Sequence, residues 1–131
     1  MNSADRRELQ VRLEGALRAR RAKSPRIKDP GLLRMLKYEY DECEITGVTE
    51  RLHLHHVVLK SSGGGVSGDD VRENIICINE DLHTRYHRGD SEARRLIGHH
   101  VDTRRPDVAR YLHDKLGGAE ALIEWFARHG V

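Results

Sequence analysis

One segment constrains the fold of this chain most: two short predicted strands, joined by a flexible loop and followed by a helix. Residues 51–58 alternate and contain β-branched side chains, which favours a strand, and residues 74–78 predict a second one. Residues 61–70 are rich in Gly, Ser and Asp, which is typical of a loop. Asn79 is a suitable N-cap for a helix over about residues 80–88. This order of elements predicts a ββα unit.

The rest of the chain is predicted to be mostly helical, because apolar residues recur at helical spacing on both sides of this unit. The predicted helices cover residues 5–22, 31–40, 91–97, 107–116 and 119–128. Pro and Gly residues predict the breaks between several of them. We therefore expect the α+β class, with a small ββα core, flanking α-helices and a mostly helical chain overall.

Positive charge is concentrated at the N-terminus, although the net charge of the chain is only +2. Residues 1–28 hold nine Lys/Arg and three Asp/Glu, a charge of +6, and residues 29–131 hold 14 and 18, a charge of −4. A basic helical arm over residues 1–28, with Arg18 and Arg21 on its polar face, predicts a polyanionic partner. The alternative is an ordinary solvated helix. The remaining residues are expected to form a single domain.

The sequence also argues against membrane and secretory classes. No apolar run approaches the roughly 18 residues of a membrane span, so we expect no membrane partner. The N-terminus, MNSADRRELQ, lacks the apolar core of a secretory signal. The two cysteines, Cys43 and Cys77, are interpreted as reduced thiols in a cytoplasmic protein.

Histidines are the strongest chemical signal in the chain. His53, His55 and His56 lie within four positions of the first predicted strand. His83 and His87 are four residues apart on the following predicted helix, so their side chains share one helix face. If the ββα unit folds back on itself, the end of the first strand lies over that face. The pattern therefore predicts a histidine metal site.

The spacing of these residues resembles that of the HNH endonuclease family, also called ββα-metal nucleases. The matching residues are the pair His55-His56, then Asn74, then His83 and His87. The second histidine group begins nine residues after the asparagine, and its two members are four apart. The Gly63–Gly65 run matches the glycine-rich loop that the family favours after the pair. The resemblance covers about residues 43–89 and leaves the C-terminal helices, 90–131, unassigned.

The resemblance implies a role for each matching residue. His55, His83 and His87 would bind one divalent metal ion, for which Mg²⁺, Mn²⁺, Zn²⁺ and Ni²⁺ are the candidates. In some relatives the last histidine contacts phosphate instead. His56 would be the general base that activates water, because histidine titrates near neutral pH. Asn74 would orient His56 by tying the loop to the strand with side-chain hydrogen bonds.

The activity implied by the resemblance is metal-dependent hydrolysis of phosphodiester bonds in DNA, with residues 29–131 as a single HNH nuclease domain. One active site per chain would nick one strand, and cutting both strands would need a homodimer or two successive nicks. The expected location is the cytoplasm of a bacterial or bacteriophage-infected cell. The basic arm would add sequence-independent affinity for the DNA backbone.

The cysteine pattern departs from the family. Many relatives hold a structural zinc ion with two Cys-x-x-Cys pairs, whereas Cys43 here is followed by Thr46 at the partner position. The second pair would fall near Asn79 and Leu82, which are not cysteines. We therefore expect no structural zinc ribbon, and Cys77 is interpreted as a small buried apolar residue.

Several residues near the motif have more than one interpretation. Lys60, Arg85 and Arg88 are candidate phosphate contacts, although Arg85 is equally compatible with a solvated helix face. His53 is interpreted as a surface residue, with a role as outer partner of the metal site as the alternative. The histidines without motif context, interpreted as surface residues, are His99, His100 and His113.

Two other functions are compatible with part of the pattern. The first is a non-catalytic nucleic-acid-binding module that keeps a structural histidine metal site. The second is a histidine-rich metal-binding or interaction protein without a nucleic-acid role. The presence of His56 beside a metal ligand argues against the former, and the basic arm and the Asn74 spacing argue against the latter.

Overall fold

The computed structural model describes residues 26–60 and 66–131. In this part the chain forms five α-helices and a two-stranded antiparallel sheet, which confirms the α+β class. The strands are β1 (Leu52–His56) and β2 (Ile75–Asn79), and the helices are α1 (Pro30–Glu39), α2 (Glu80–His87), α3 (Ser91–Arg104), α4 (Pro106–Leu116) and α5 (Ala119–Arg128). The predicted helix over residues 5–22, with Arg18 and Arg21, and the loop glycines Gly63–Gly65 lie outside the described residues.

The sheet is short and its second strand is almost completely buried. β1 pairs with β2 in a register that sets His55 opposite Ile76 and His56 opposite Ile75. A 3₁₀ turn over Arg72–Asn74 leads into β2, so Asn74 lies just before the strand and not at its first position. The core includes β2 and the inner faces of α2 to α5, with Ile76, Ile78, Leu82, Ile97, Val101, Val108, Leu112 and Trp125 among its members. Each fully buried Leu, Ile or Val side chain contributes roughly 1.5–3 kcal/mol.

Local sequence signals explain most of the helix boundaries. Asp29 caps α1 by accepting a hydrogen bond from the backbone N–H of Leu32 at 3.0 Å, and Pro30 occupies the first helical turn. Gly117 ends α4 in the left-handed conformation with φ of 111°. The predictions for α1, α4 and α5 agree with the structure to within one residue.

The prediction for α3 was wrong at its C-terminal end. The helix continues past residue 97 to Arg104. Gly98 therefore lies inside the helix and does not end it. The position requires glycine for packing, because a Cβ atom there would lie 2.7 Å from the Cβ atom of His129 and 2.9 Å from a methyl group of Val131. The glycine permits close packing of the last residues of the chain, which the local sequence pattern does not show.

The cysteines are free and buried. Cys43 and Cys77 are each 1% exposed, which agrees with the interpretation of Cys77 as a small buried apolar residue. Burial raises the pKa of the Cys77 thiol to about 11, so it stays protonated at neutral pH. Within residues 26–60 and 66–131, no helix combines the length and the apolar character that crossing a bilayer requires.

Candidate metal centre

The sheet and α2 bring the three predicted ligands together. α2 packs against both strands, so the face of α2 that carries His83 and His87 lies over His55 of β1. Each of these three imidazoles offers one ring nitrogen, and the three nitrogens lie within 4.8 Å of one another. The cluster could therefore hold a metal ion.

His55 is the most unusual member of this cluster. Its side chain is completely buried, and neither ring nitrogen has a hydrogen-bond partner among the described residues. Burial, followed by the neighbouring His83 and His87, holds its pKa well below the ordinary range, so the ring is neutral and keeps a free lone pair. A buried polar group without a partner is destabilising, and a bound cation would satisfy it.

His83 is held on both sides by other imidazoles. Its Nε2 atom lies 2.9 Å from Nε2 of His87, and its Nδ1 atom lies 2.8 Å from Nδ1 of His53. Nitrogens that bind one tetrahedral ion at 2.0–2.1 Å are about 3.3 Å apart, so the first pair is close to a ligand geometry. Burial, together with His87 and His53, lowers the pKa of His83 to about 4, which keeps its ring neutral.

His53 contacts the cluster through His83. A metal ion on Nε2 of His83 requires the proton of that ring to be on Nδ1, which then donates to Nδ1 of His53. His53 is half-buried and contacts His83, which favours the alternative of an outer partner over that of a simple surface residue. The strand alternation that places His53 on the same side as His55 was the sequence signal for this role.

Tyr86 packs against His55, and residues near the C-terminus hold Tyr86 in place. The Tyr86 ring packs edge-on against His55, with ring centroids 4.8 Å apart. The Tyr86 hydroxyl donates to Nε2 of His129 at 2.7 Å, and Nδ1 of His129 donates to the Trp125 carbonyl at 2.7 Å. His129 also stacks on Trp125 at 3.7 Å. The sequence did not predict this packing, because Tyr86 and His129 are 43 residues apart.

A second pair of groups lies at the end of β1. The Nε2 atom of His56 is 2.8 Å from Oδ1 of Asp70, and both side chains are buried. Burial raises the pKa of Asp70, but hydrogen bonds from the Asp29 N–H and His56, together with Arg26, lower it overall, so this group is a carboxylate. Nε2 of His56 therefore donates to Asp70. Burial lowers the pKa of His56, and the contact with Asp70 offsets only part of that effect.

Asn74 connects the two ends of the glycine-rich loop. Its Oδ1 atom accepts from the N–H of Val58 at 2.8 Å, and its Nδ2 atom donates to the carbonyls of Val58 at 3.1 Å and Asp69 at 3.0 Å. These are the predicted side-chain hydrogen bonds between loop and strand. Gly68 completes the junction, because a Cβ atom there would lie 1.6 Å from the Val58 carbonyl oxygen. The junction fixes Asp70 beside His56.

The aspartates at the end of the loop were missed by the sequence analysis. Asp70 accepts from Arg26 and from the Asp29 N–H, and Asp69 accepts from the N–H of Ile27. These bonds hold residues 26–28, which the sequence placed in the arm, against the domain. The available signal was the Asp-Asp pair that closes the loop just before β2.

Five of the nine histidines line one recess, which we call the histidine groove: His53, His55, His56, His83 and His87. Its other lining residues include Lys37 of α1 and Lys60, and its volume is about 410 Å³. Because β1 ends at His56, the adjacent side chains of His55 and His56 both reach this groove despite the alternation of a strand. Lys60, a predicted candidate for phosphate contact, thus lines the groove. Lys37 also lines it, although the sequence analysis did not single this residue out.

The two candidate arginines of α2 differ. Arg85 lies 3.1–3.8 Å from carboxylate oxygens of Asp81, Asp90 and Glu92, so the structure favours the alternative of a helix-surface role over a phosphate contact. Arg88 is exposed and has no ion pair within the described residues.

The histidines outside the motif also differ from one another. His99 and His113 are exposed, as expected. His100 is buried, with Nε2 at 3.1 Å from Glu44, so its interpretation as a surface residue is wrong. Glu44 also accepts from Arg105 and from the N–H of Cys77, so this group of residues stabilises the packing of α3 and α4 on β2.

No family model, curated protein or solved structure matches this chain. The groove combines three imidazoles that could hold a cation with a separate imidazole fixed by a carboxylate. A cation and a nearby base are two components that metal-dependent hydrolysis uses.

Proposed function

We propose that this protein is a metal-dependent endonuclease that hydrolyses DNA phosphodiester bonds in the histidine groove, with β1, β2 and α2 as an HNH-type ββα core. The observation that carries the proposal is the buried His55, which has no hydrogen-bond partner within the described residues and faces His83 and His87. A base fixed by a carboxylate, His56 with Asp70, lines the same groove.

The donor set favours particular metals. His55, His83 and His87 would hold the ion through three imidazole nitrogens, without a carboxylate in the cluster. Imidazole suits Zn²⁺ and Ni²⁺ better than Mg²⁺, which prefers oxygen ligands, and Mn²⁺ is intermediate. Three protein ligands leave a position for substrate or water, as in catalytic zinc sites. A bound ion would neutralise charge on the scissile phosphate and on the leaving oxygen.

His56 is suited to the role of general base. Since its Nε2–H donates to Asp70, its Nδ1 atom carries the lone pair that can accept a proton from water. The Asp70 carboxylate fixes this tautomer and stabilises the ring after it becomes protonated. Asn74 and Gly68 hold the loop end that carries Asp70, so they act on the base indirectly.

A non-catalytic module with a structural metal site is the second candidate. One observation favours it: Asp70 also binds Arg26 and the Asp29 backbone, so part of its role is to anchor the segment before α1. The position of His56 in the same groove favours the nuclease. A purely structural metal site needs no base beside its ligands.

A plasmid-nicking assay separates the two candidates. The wild-type chain, His56→Ala and the exposed control His113→Ala are compared with Zn²⁺, Ni²⁺, Mn²⁺ and Mg²⁺. We expect His56→Ala to reduce nicking about 10²–10⁴-fold, the usual contribution of general-base catalysis, and to bind metal as the wild type does. Wild-type nicking rates in His56→Ala would rule out this residue as the base, and absence of nicking by the wild type with every metal would favour the structural site.

A further inference from the structure

We propose that a second recess, beside the histidine groove and lined by Arg94 and Arg128, binds the phosphate backbone of the nucleic-acid strand next to the cleaved bond. The inference rests on the proposed function and extends it to α3 and α5, to which the sequence motif assigns no role. The ligand class is a phosphodiester chain that continues out of the histidine groove.

The two recesses are neighbours. Leu59 and His87 line both of them, so a ligand that extends past His87 would reach the second recess. The second recess has a volume of about 350 Å³, and Trp125 contributes to its wall. A strand that crosses both recesses would therefore contact α1 and the β1 end on one side of the site, and α3 and α5 on the other.

The charge of these two recesses differs from that of the domain. Residues 29–131 carry a formal charge of −4. No carboxylate lines either recess, whereas Lys37 and Lys60 line the groove and Arg94 and Arg128 line the second recess. Together the two recesses have four cations and no acid among their lining residues, although the domain is acidic, so they are complementary to a polyanion.

Other cavities of the described chain show that this composition is not general. The cavity beside Arg110 also contains Glu73, Asp107 and Asp114. The cavity beside Arg51 contains Glu50, Glu80 and Asp81. In these places the cations lie among acids, so a phosphate would meet repulsion as well as attraction.

The guanidinium groups of the second recess are available to a ligand. Arg94 is exposed and forms no ion pair or side-chain hydrogen bond with another described residue, unlike Arg85 and Arg105. Arg128 lies 3.3 Å from Glu124, but both side chains are 68% exposed. Exposed pairs of this kind contribute only about 0.2–1 kcal/mol, so a phosphate can replace the carboxylate. Arginine also binds phosphate oxygens in a bidentate manner.

The test measures DNA binding by the full chain with His56→Ala as background, so that the DNA stays intact. Fluorescence anisotropy with a short labelled duplex compares Arg94→Gln/Arg128→Gln with the matched control Arg95→Gln/Arg104→Gln, which removes the same charge from exposed positions of α3. We expect the recess variant to bind about tenfold more weakly at physiological salt. Its log K against log [salt] slope should fall by about 2, since each lost phosphate contact removes about 0.9. The control should change neither quantity by a comparable amount.

Nicking by the same arginine variants with His56 intact is measured in parallel. If the wild type nicks DNA but the recess and control variants bind DNA equally well, the second recess is not a backbone site and the nuclease proposal stands. If the wild type does not nick DNA, the nuclease proposal fails, and the recess proposal holds only if the recess variant binds DNA more weakly than the control. Absence of measurable DNA binding by the background chain overturns the recess proposal.

Discussion

Two buried histidines, His55 and His129, differ in how their ring nitrogens are satisfied. They are 0% and 7% exposed. His129 donates from Nδ1 to the Trp125 carbonyl and accepts the Tyr86 hydroxyl proton at Nε2. His55 has no hydrogen-bond partner for either nitrogen within the described part of the chain. The fold itself satisfies both ring nitrogens of His129, whereas those of His55 need a group that the described residues do not supply.

The cost of the incomplete site connects metal binding to stability. A buried polar group without a partner costs about 1–3 kcal/mol. A metal ion that binds the folded chain would remove this cost and would stabilise the fold further by mass action. His129 offers no such gain, because both of its ring nitrogens already have partners.

The largest expected effect is that of His55→Leu on metal binding. We expect the dissociation constant for Zn²⁺ to rise more than about 100-fold, since even outer partners of metal ligands are worth 10–100-fold. In the metal-free protein the same change should leave the unfolding free energy unchanged or higher, because leucine brings no unsatisfied nitrogen. Competition with a chromophoric chelator measures the first quantity and urea denaturation measures the second.

The exposed His99→Leu is the control for this pair of measurements, and it should keep the metal affinity of the wild type. If His55→Leu also kept that affinity, His55 would not be a metal ligand, and its unsatisfied nitrogens would not distinguish it from His129 in function.

An intermediate effect is expected for His53→Leu. Losing the acceptor for the Nδ1–H of His83 should weaken Zn²⁺ binding about 10–100-fold, without changing the stoichiometry of one ion. His53→Asn should recover part of the loss, because its side-chain carbonyl can accept the same proton. Equal affinities for the leucine and asparagine variants would show that His53 acts by packing alone.

The smallest effect on metal binding is expected for His129→Leu. This change leaves the Tyr86 hydroxyl without its acceptor, so the unfolding free energy should fall by about 1–3 kcal/mol. The variant should still bind one metal ion, because no nitrogen of His129 belongs to the cluster. Loss of metal stoichiometry in a variant that remains folded by circular dichroism would mean that the two histidines are not separate in function.

The sequence predicted the parts of the site that depend on regular periodicity. The i, i+4 spacing predicted that His83 and His87 share one helix face near the end of the first strand, and the family resemblance selected His55 as the third ligand. The Asn74 hydrogen bonds came from the family resemblance and are present.

The missed contacts depend on the path of the chain between elements. Asp70 reaches His56 only because the loop returns to Val58, and Tyr86 meets His129 across 43 residues. The length of α3 was missed for a related reason, since Gly98 serves a close approach to the C-terminus and does not end the helix. A local pattern such as the Asp69-Asp70 pair can mark a candidate residue, but it does not show which distant residue that side chain contacts.

The most direct test of the metal centre is anomalous diffraction from crystals of the full chain grown with Zn²⁺, recorded at the zinc absorption edge. We expect one strong peak about 2.0–2.1 Å from a ring nitrogen of each of His55, His83 and His87. A strong peak elsewhere, with the His55 nitrogens still without a partner, would contradict the account, and so would the absence of any peak at these three residues.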